Sequence, residues 1–305
     1  MRVQPDTRDL TANVADFDQR VRMTHAMAAP ESGEPESPIL KLVDVTVRFG
    51  GITALDSVAF NVARGTICGL IGPNGAGKTT LFDVISGMRA PSTGSVAIDG
   101  IDVSTMGVPQ RSRLGLRRTF QRVQTFGWLS VEDNVLTALE WRGGGGGFLA
   151  DLVAFPTRRR RERERRALVE ATLERCGLTD VRSEFAGSLP IGIARMVELA
   201  RATVEPPKLL MLDEPASGLD ETEAARLGAH IQAVRTESGC AVLLVEHNAS
   251  FVMEHSNRVV VLDLGTVLAD GTPREIQSNP AVQAAYLGDY DTTSNQHDDQ
   301  AAKES

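Results

Sequence analysis

A short glycine-rich segment, Gly72–Thr80, has the residue types and spacing needed to hold a phosphate group. It fits the pattern G-x-x-x-x-G-K-[ST]. Glycines let the backbone curl so that several N–H groups point at one phosphate. Lys78 can reach the β- and γ-phosphates of a nucleotide, and the Thr79 hydroxyl can bind Mg²⁺. We predict that this segment, called the phosphate loop below, binds a nucleotide through Gly72, Pro73, Asn74, Gly75, Ala76, Gly77, Lys78, Thr79 and Thr80.

The sequence on either side of the phosphate loop gives it the setting that this chemistry needs. The apolar run Ile67–Ile71 precedes it and predicts a buried strand. Residues 81–85 follow it and can continue as a helix, whose N-terminus adds positive potential at the phosphate. A chance glycine-rich turn would lack this order of strand, loop and helix.

Other polar positions could complete a site for phosphoryl transfer to water. Asp213 and Glu214 end one predicted buried strand, and His247 ends another that begins near Cys240. A helix predicted over 221–235 separates the two strands, which favours a parallel α/β sheet. Because ligand sites form at the carboxyl ends of such strands, we expect these side chains at one edge of the sheet.

Each of these positions has a possible role. Asp213 can hold Mg²⁺ through water, and Glu214 can accept a proton from the attacking water. His247 can hydrogen-bond the γ-phosphate or that water, and the Gln121 amide oxygen can bind the metal. The alternative for the carboxylate pair is a solvated strand end. Taken alone, His247 fits a structural histidine better than a catalytic one.

Length and composition set bounds on the class of protein. The chain has 305 residues, enough for one large domain or two small ones, with a net charge of −8. The acidic balance argues against a nucleic-acid partner. No apolar run approaches the length of about 18 residues that spans a bilayer. The three cysteines have no metal-ligand spacing and are typical of reduced core residues in a cytoplasmic protein.

Composition also predicts where order begins and ends. Residues 1–38 and 289–305 are polar or Pro/Glu-rich and predict disordered extensions. Residues 143–147 are all glycine and predict a flexible break. The arginine-rich stretch 158–166 that follows predicts a solvated helix face with i,i+4 ion pairs, or alternatively a contact with phospholipid headgroups or an acidic partner.

The segment before the phosphate loop predicts antiparallel strands. Residues 40–47 and 58–62 alternate in character, and 95–98 precede a hairpin-like Asp99-Gly100 turn. Phe49 lies between the first two strands. An aromatic ring there could stack on adenine, although the spacing alone fits a core or turn phenylalanine equally well.

Taken together, the motifs resemble those of ABC-type ATPases. The phosphate loop, Gln121, Leu210–Pro215, Ser217–Asp220 and His247 follow the family order of Walker A, Q-loop, Walker B with its glutamate, D-loop and H-switch. The resemblance implies an α/β, RecA-like P-loop core with an antiparallel β subdomain and a helical subdomain near 122–188, within a domain of residues 39–288. It also implies ATP and Mg²⁺ as cofactors, and Phe49 as the adenine-stacking aromatic.

Shorter matches narrow the resemblance to one subfamily. Arg48–Gly51, Arg118–Gln121, the insertion near 143–166, Val197–Ala202 and Ala285–Gly288 resemble the larger ATPase subunit of branched-chain amino acid importers. The resemblance implies a second ATPase subunit, identical or different, membrane permease subunits and, indirectly, a periplasmic solute-binding protein. It places the chain at the cytoplasmic face of the membrane.

Other functions are open within the same family. An importer subunit for another solute, such as urea or lipid, would carry the same motifs. A soluble ABC-type ATPase acting on DNA or ribosomes is the rival from another class. Such proteins usually carry two cassettes or a long coiled coil, whereas this chain has one phosphate loop and no sustained heptads.

One motif departs from the family pattern. The signature that reads Leu-Ser-Gly-Gly-Gln in the family stands here as Leu189, Pro190, Ile191, Gly192 and Ile193. In the family this segment contacts the ATP held by the opposite subunit. Pro190 can preset a helix start, and Gly192 still allows a close backbone approach. Ile193 cannot replace the glutamine chemically, so the sequence predicts a weakened site around the partner's phosphate loop.

Overall fold

The computed structural model describes residues 37–139 and 155–286, except for the side chains of 155–159 and 161. Nearly all of the two predicted disordered extensions and the whole five-glycine run lie outside the described residues. The same holds for residues 287–288 at the predicted end of the domain. The predicted subdomain boundaries therefore stay predictions.

The N-terminal part of the described chain forms a four-stranded antiparallel sheet. Its strands are β1 (Leu40–Phe49), β2 (Ile52–Val62), β4 (Thr93–Ile98) and β5 (Ile101–Asp102), in the order β2-β1-β4-β5. Asp99 and Gly100 both have positive φ, of 53° and 76°, as a two-residue hairpin turn requires. The antiparallel strands and the turn predicted from sequence are confirmed.

A second sheet has six strands and carries the phosphate loop. Its strands are β3 (Ile67–Ile71), β6 (Leu116–Arg118), β7 (Leu209–Asp213), β8 (Ala241–Val245), β9 (Arg258–Asp263) and β10 (Thr266–Gly271), in the order β10-β9-β3-β8-β7-β6. All but β10 run parallel. Every residue of β3, β7 and β8 is buried, which is expected of a parallel sheet covered on both faces.

Helices lie between and after the strands of this second sheet. They are α1 (Lys78–Ser86), α2 (Val108–Arg113), α3 (Val131–Thr137), α4 (Phe155–Arg175), α5 (Ile191–Thr203), α6 (Glu221–Ser238), α7 (Ala249–His255), α8 (Pro273–Gln277) and α9 (280–286). Helix α6 has a full capping box, since Asp220 accepts from the Glu223 N–H and Glu223 accepts from the Asp220 N–H. The helix predicted over 221–235 is confirmed.

Helices α3 and α4 differ in how they end. Helix α3 begins at Val131 and ends at Thr137. Its last turn tightens because the Leu139 N–H bonds three residues back, to Leu136. On α4, the predicted Glu162–Arg166 ion pair forms at 2.9 Å, and Gly177 ends the segment with a φ of 63°.

The parallel sheet separates two hydrophobic clusters. Leu210 and Leu212 of β7 face a cluster shared with α3 to α7, whereas Leu209 and Met211 face one shared with α1 and the antiparallel sheet. This alternation follows from the two-residue period of a strand. With both faces buried, the exposed carboxyl edge of β3, β6, β7 and β8 is left to position polar side chains.

Candidate nucleotide-hydrolysing site

The phosphate loop has the shape of an anion cradle. Gly75 and Gly77 have φ of 80° and 99°, a region that favours glycine. A Cβ on Gly72 would lie 2.1 Å from the Leu262 carbonyl oxygen, so only glycine fits there. Lys78 Nζ donates to the carbonyl oxygens of Gly72 and Pro73 at 2.6 and 2.9 Å. The lysine is thus held inside the loop that it would serve.

Neighbouring segments hold the phosphate loop in place. The Gly265 N–H, in the turn between β9 and β10, donates to the Ala76 carbonyl at 3.1 Å. A Cβ on Gly77 would lie 2.7 Å from Leu55 Cδ2, so β2 packs directly on the loop. Burial raises the pKa of Tyr286 on α9 to about 12, while a hydrogen bond with the Gly72 backbone acts in the opposite direction. Helix α9, the last helix in the described residues, therefore reaches the start of the loop.

Glu214, Gln121 and His247 meet at the carboxyl edge of the sheet. Glu214 Oε2 accepts from Gln121 Nε2 at 2.9 Å, and Glu214 Oε1 lies 2.8 Å from His247 Nε2. The structure therefore joins three residues that the sequence separates by more than 30 positions at each step. Glu214 has a φ of 48°, a conformation that a residue with a Cβ rarely adopts and that is common at functional sites.

Asp213 is bound by Arg118, which was not predicted to belong to the site. Arg118 Nη2 donates to Asp213 Oδ2 at 2.9 Å, and Arg118 Nη1 donates to Asp83 Oδ1 of α1 at 2.7 Å. Burial raises the pKa of Asp213 above its ordinary value, and the Arg118 guanidinium acts in the opposite direction. Arg118 therefore ties the helix after the phosphate loop to the end of β7.

The only sequence signal for Arg118 was its place in the matched Arg118–Gln121 stretch. It ends β6, which pairs with β7, and the pairing sets Arg118 opposite Met211. Its side chain is 8% exposed, and its guanidinium carbon lies 5.3 Å from the ring centroid of Phe120. Nothing in the order of residues along the chain shows that β6 and β7 are neighbours.

Glu246, the first residue after β8, links that strand to the segment after Glu214. Its Oε1 accepts the Ala216 N–H at 2.6 Å. Burial raises the pKa of Glu246 to about 6, and the Glu214 carboxylate adds to this rise. Ala216 leads into Ser217–Asp220, the segment predicted as the D-loop, so Glu246 fixes the start of that turn.

Phe49 is 41% exposed, and one face of its ring is covered by an arginine. The Arg89 guanidinium carbon lies 4.3 Å from the ring centroid, a cation–π distance. The exposure leaves ring surface that a base could use. Its predicted role in stacking on adenine stays a prediction.

The altered signature segment forms the start of α5. Pro190 is the residue before the helix, with φ −55° and ψ 152°, so the predicted helix start at proline is confirmed. Gly192 lies so close to Glu223 that a Cβ would come within 2.3 Å of Glu223 Oε1. Ile193 is half-buried and packs against the hydrophobic cluster that contains Leu210 and Leu212. An isoleucine at this position therefore serves packing in this chain.

The donor atoms present suit a nucleotide and Mg²⁺. The cradle and the N-terminus of α1 favour phosphate. The hydroxyl of Thr79, the Asp213 carboxylate and the Gln121 amide carbonyl are oxygen ligands of the kind that Mg²⁺ prefers. The bond from Gln121 to Glu214 uses the amide nitrogen and so does not consume that oxygen. In residues 37–139 and 155–286, no group of three or more His, Cys, Asp or Glu forms a separate metal site.

Sequence comparisons agree with this geometry. The family model described as "ABC transporter" matches residues 55–217, and the model "Branched-chain amino acid ATP-binding cassette transporter" matches 266–292. The chain is 40% identical over 252 residues to the high-affinity branched-chain amino acid transport ATP-binding protein BraF of Pseudomonas aeruginosa, covering 83% of this chain and 98% of BraF. It is 38% identical to LivG of Escherichia coli K12, a protein with the same description, over the same shares.

Solved structures give the same result. An ATP-binding cassette of an ABC transporter, MJ1267, matches with a TM-score of 0.71 and 26% identity, covering 82% of this chain and 99% of MJ1267. CbiO1 from Clostridium perfringens, part of the ABC transporter complex CbiONQ, matches with a TM-score of 0.70 and 25% identity, covering 83% and 100%. Within the described part of the chain, no helix is both long enough and apolar enough to cross a membrane.

Proposed function

This chain belongs to the ABC transporter family of ATP-binding subunits, and we propose that it hydrolyses ATP to drive the import of branched-chain amino acids. The observation that supports the substrate class is the match of residues 266–292 to the branched-chain amino acid model. That segment includes Tyr286, which bonds with the Gly72 backbone, so it is part of the site's own framework. The relatives BraF and LivG carry the same substrate in their names.

The phosphate loop and Lys78 bind the nucleotide. Backbone N–H groups of the loop and of the first turn of α1 receive the phosphates, and the Lys78 ammonium neutralises the β- and γ-phosphate charge. Lys78 Nζ already lies 2.6 Å from the Gly72 carbonyl oxygen, inside the loop. Thr79, Asp213 and Gln121 would hold Mg²⁺, which when bound supplies charge neutralisation between the phosphates. Phe49 offers its exposed ring surface to adenine.

Glu214 acts as the base of the hydrolysis step. An ionised carboxylate has about four acceptor positions, so Glu214 can keep its contacts to Gln121 and His247 and still accept a proton from water. The oxygen of the attacking water bonds the γ-phosphorus as the bond from that phosphorus to the β,γ-bridging oxygen breaks, so that ADP leaves with the bridging oxygen. The water's O–H bond breaks in the same step, and its proton goes to Glu214. His247 is 49% exposed and can turn from Glu214 to the γ-phosphate.

The partners are inferred from the family to which the chain belongs. A second ATPase subunit, identical or different, would supply its signature segment to this phosphate loop, while Leu189, Pro190, Ile191 and Gly192 would face the ATP of that subunit. Integral-membrane permease subunits would hold the chain at the cytoplasmic face of the membrane, and a periplasmic binding protein would deliver the solute to them. The acidic charge of −8 gives no support to a nucleic-acid partner.

Solute uptake by the assembled transporter tests the proposal. The complex captured through its permease subunits would be reconstituted in vesicles with ATP at the face that binds this chain. We expect uptake of radiolabelled leucine, isoleucine or valine that requires ATP and is lost with Glu214→Gln. ATP-dependent uptake of urea or lipid without any of the three amino acids would contradict the substrate assignment and leave the ATPase assignment intact.

A further inference from the structure

One face of α5 carries three charged residues toward the segment that contains Gln121. Arg195, Glu198 and Arg201 are spaced by three, so they lie along one side of the helix. On the other sides of α5, apolar side chains are buried in the hydrophobic cluster that α3 to α7 share, namely Met196, Val197, Leu199, Ala200 and Ala202. Charged side chains on such a helix need a specific reason, because burying a charge is costly unless it is paired and hydrogen-bonded.

These side chains bond to the backbone of residues 120–124, called the Q-loop segment below. Arg195 Nη1 and Nη2 donate to the carbonyl oxygens of Phe120 and Gln121 at 3.1 and 2.6 Å. Glu198 Oε1 accepts the Gln124 N–H at 2.6 Å, and Arg201 donates to the Gln124 carbonyl. Helix α5 is thus hydrogen-bonded to the backbone at both ends of the Q-loop segment, and these hydrogen bonds are called the grip below.

The grip is buried and internally paired. The Arg195 and Glu198 side chains are 6% and 7% exposed and lie 3.3 Å apart. Burial raises the pKa of Glu198 above its ordinary value, which Arg195 and the Gln124 N–H oppose. Hydrogen bonds of this kind, with a charged partner and little water, are among the stronger ones in proteins.

The grip lies between two functional points. At its N-terminus, α5 begins with the altered signature residues 190–193. At the other side, the Gln121 side chain donates to Glu214, the proposed base. The Q-loop segment is anchored before and after as well, because the Thr119 N–H donates to Met211 of β7 and the Phe126 N–H donates to Asn134 of α3. A continuous chain of bonds therefore runs from the signature segment to the base.

We propose that Arg195 and Glu198 are positioning residues that make α5 and the Q-loop segment move as one body, so that a shift at residues 190–193 is transmitted to the hydrogen bond between Gln121 and Glu214. The proposal rests on the proposed ATPase dimer, in which a partner's ATP engages those residues. A helix and a loop joined only by apolar packing could slide past each other. Four polar bonds to the backbone of a short segment fix its register.

The double variant Arg195→Met/Glu198→Gln tests the grip by removing both members of the buried Arg195–Glu198 ion pair together. Hydrogen exchange of the Q-loop amides and ATP turnover would be measured in the assembled complex. We expect turnover to fall by about 2- to 30-fold, the range of measured coupling effects, with ATP affinity within about twofold. Exchange at residues 120–124 should rise by a similar factor. The matched control is Arg182→Met, which breaks an ion pair to Glu132 away from the Q-loop segment and should leave both quantities unchanged.

Normal turnover and unchanged exchange in a folded double variant would overturn the proposal. Arg195→Lys provides a graded test, because a lysine can still donate to a carbonyl and should recover part of the lost turnover. A variant whose turnover falls while Q-loop exchange stays at the wild-type rate would also count against it, since that result indicates a structural role only.

A measurement on the wild-type complex covers the case in which the double variant does not fold. Exchange would be followed with and without a non-hydrolysable ATP analogue. Peptides covering 119–125 and 190–198 should change protection together. A change in one without the other would overturn the proposal. Failure of the wild-type complex to hydrolyse ATP at all would instead contradict the proposed function.

Discussion

The phosphate loop and the carboxyl edge of the sheet contrast in how they are built. The loop is one contiguous segment whose shape depends on backbone conformation and on the space that glycine leaves. The edge brings Gln121, Glu214 and His247 together from three separate connections, each placed by strand order. The loop offers its own backbone N–H groups to phosphate. The edge works only if neighbouring strands keep their register.

The two regions should therefore fail differently. Damage to the loop should reduce nucleotide affinity, because the loop makes the ground-state contacts with phosphate. Damage to the edge should reduce turnover with little change in affinity, because its groups act on the attacking water. Arg118 is the exception to this separation, since it bonds Asp83 behind the loop and Asp213 at the edge.

Lys78→Ala should give the largest loss of binding. The substitution removes the ammonium that would neutralise the β- and γ-phosphates. We expect ATP affinity to fall by about 100-fold or more, as a charged hydrogen-bonding partner is lost in a buried position. Calorimetric titration with ATP would measure it. Retained affinity would contradict the role of the loop, provided that circular dichroism shows a native fold.

Gly77→Ala compared with Gly75→Ala separates steric contact from backbone strain. Both glycines have positive φ, so each alanine costs about 1 kcal/mol. A Cβ at Gly77 would also lie 2.7 Å from Leu55 Cδ2 and 2.8 Å from the Ala54 carbonyl oxygen, whereas a Cβ at Gly75 meets nothing within 4 Å. We expect a larger loss of stability and ATP affinity for Gly77→Ala. Equal effects would show that the contact with β2 does not shape the loop.

Arg118→Met should disturb both regions, because Arg118 bonds Asp83 behind the loop and Asp213 at the edge. It leaves Asp213 buried without its partner, and breaking such a pair costs about 3 kcal/mol of unfolding free energy. Urea denaturation would measure the loss, with Arg118→Lys as the conservative variant that can hold only one carboxylate well. A loss below about 0.5 kcal/mol, typical of an exposed ion pair, would show that Arg118 does not bridge the loop and the edge.

Glu246→Gln should have a smaller, pH-dependent effect. The pKa of Glu246 rises from 4.5 to about 6 on folding, so the folded protein holds this proton more tightly. Stability from this group is therefore present at low pH and is lost as pH rises from about 4.5 to about 6, by about 2 kcal/mol. Glutamine keeps the acceptor for Ala216, so the variant should be more stable than wild type at pH 7 and lack this slope.

The control for Glu246 is an exposed glutamate. Glu184→Gln, a change on the surface, should leave the unfolding free energy at pH 7 within about 0.5 kcal/mol of wild type. Parallel wild-type and Glu246→Gln stability curves between pH 4 and 7 would contradict the burial-driven shift at Glu246.

The same contrast explains how much could be predicted from sequence. Features that lie in one contiguous stretch were predicted correctly. They are the phosphate loop, its flanking strand and helix, and the polar ends of β7 and β8. The bonds of Arg118 and Arg195 were not predicted. These bonds form because β6 lies beside β7 and α5 lies beside residues 120–124. The sequence does not reveal the first of these arrangements, because β6 has only three residues and therefore no periodic pattern.

The signature segment shows a different limit. In the sequence, Ile193 stands where the family signature has glutamine, and this difference alone predicts a weakened contact with the partner's ATP. In the structure Ile193 packs against the hydrophobic cluster that contains Leu210 and Leu212, and Gly192 packs against Glu223. A residue's neighbours on α6 cannot be read from the residue itself, so its packing role was invisible until the helices were in place.

The most direct test of the central claim is Glu214→Gln in the assembled transporter, with ATP binding and phosphate release measured on the same sample. Glutamine keeps the shape and the acceptor oxygen but cannot take a proton from water. We predict ATP affinity within about twofold of wild type and phosphate release slowed by about 100- to 10,000-fold, the range for loss of a general base. Near-normal phosphate release would contradict the assignment of Glu214 as the base and the proposed division between loop and edge.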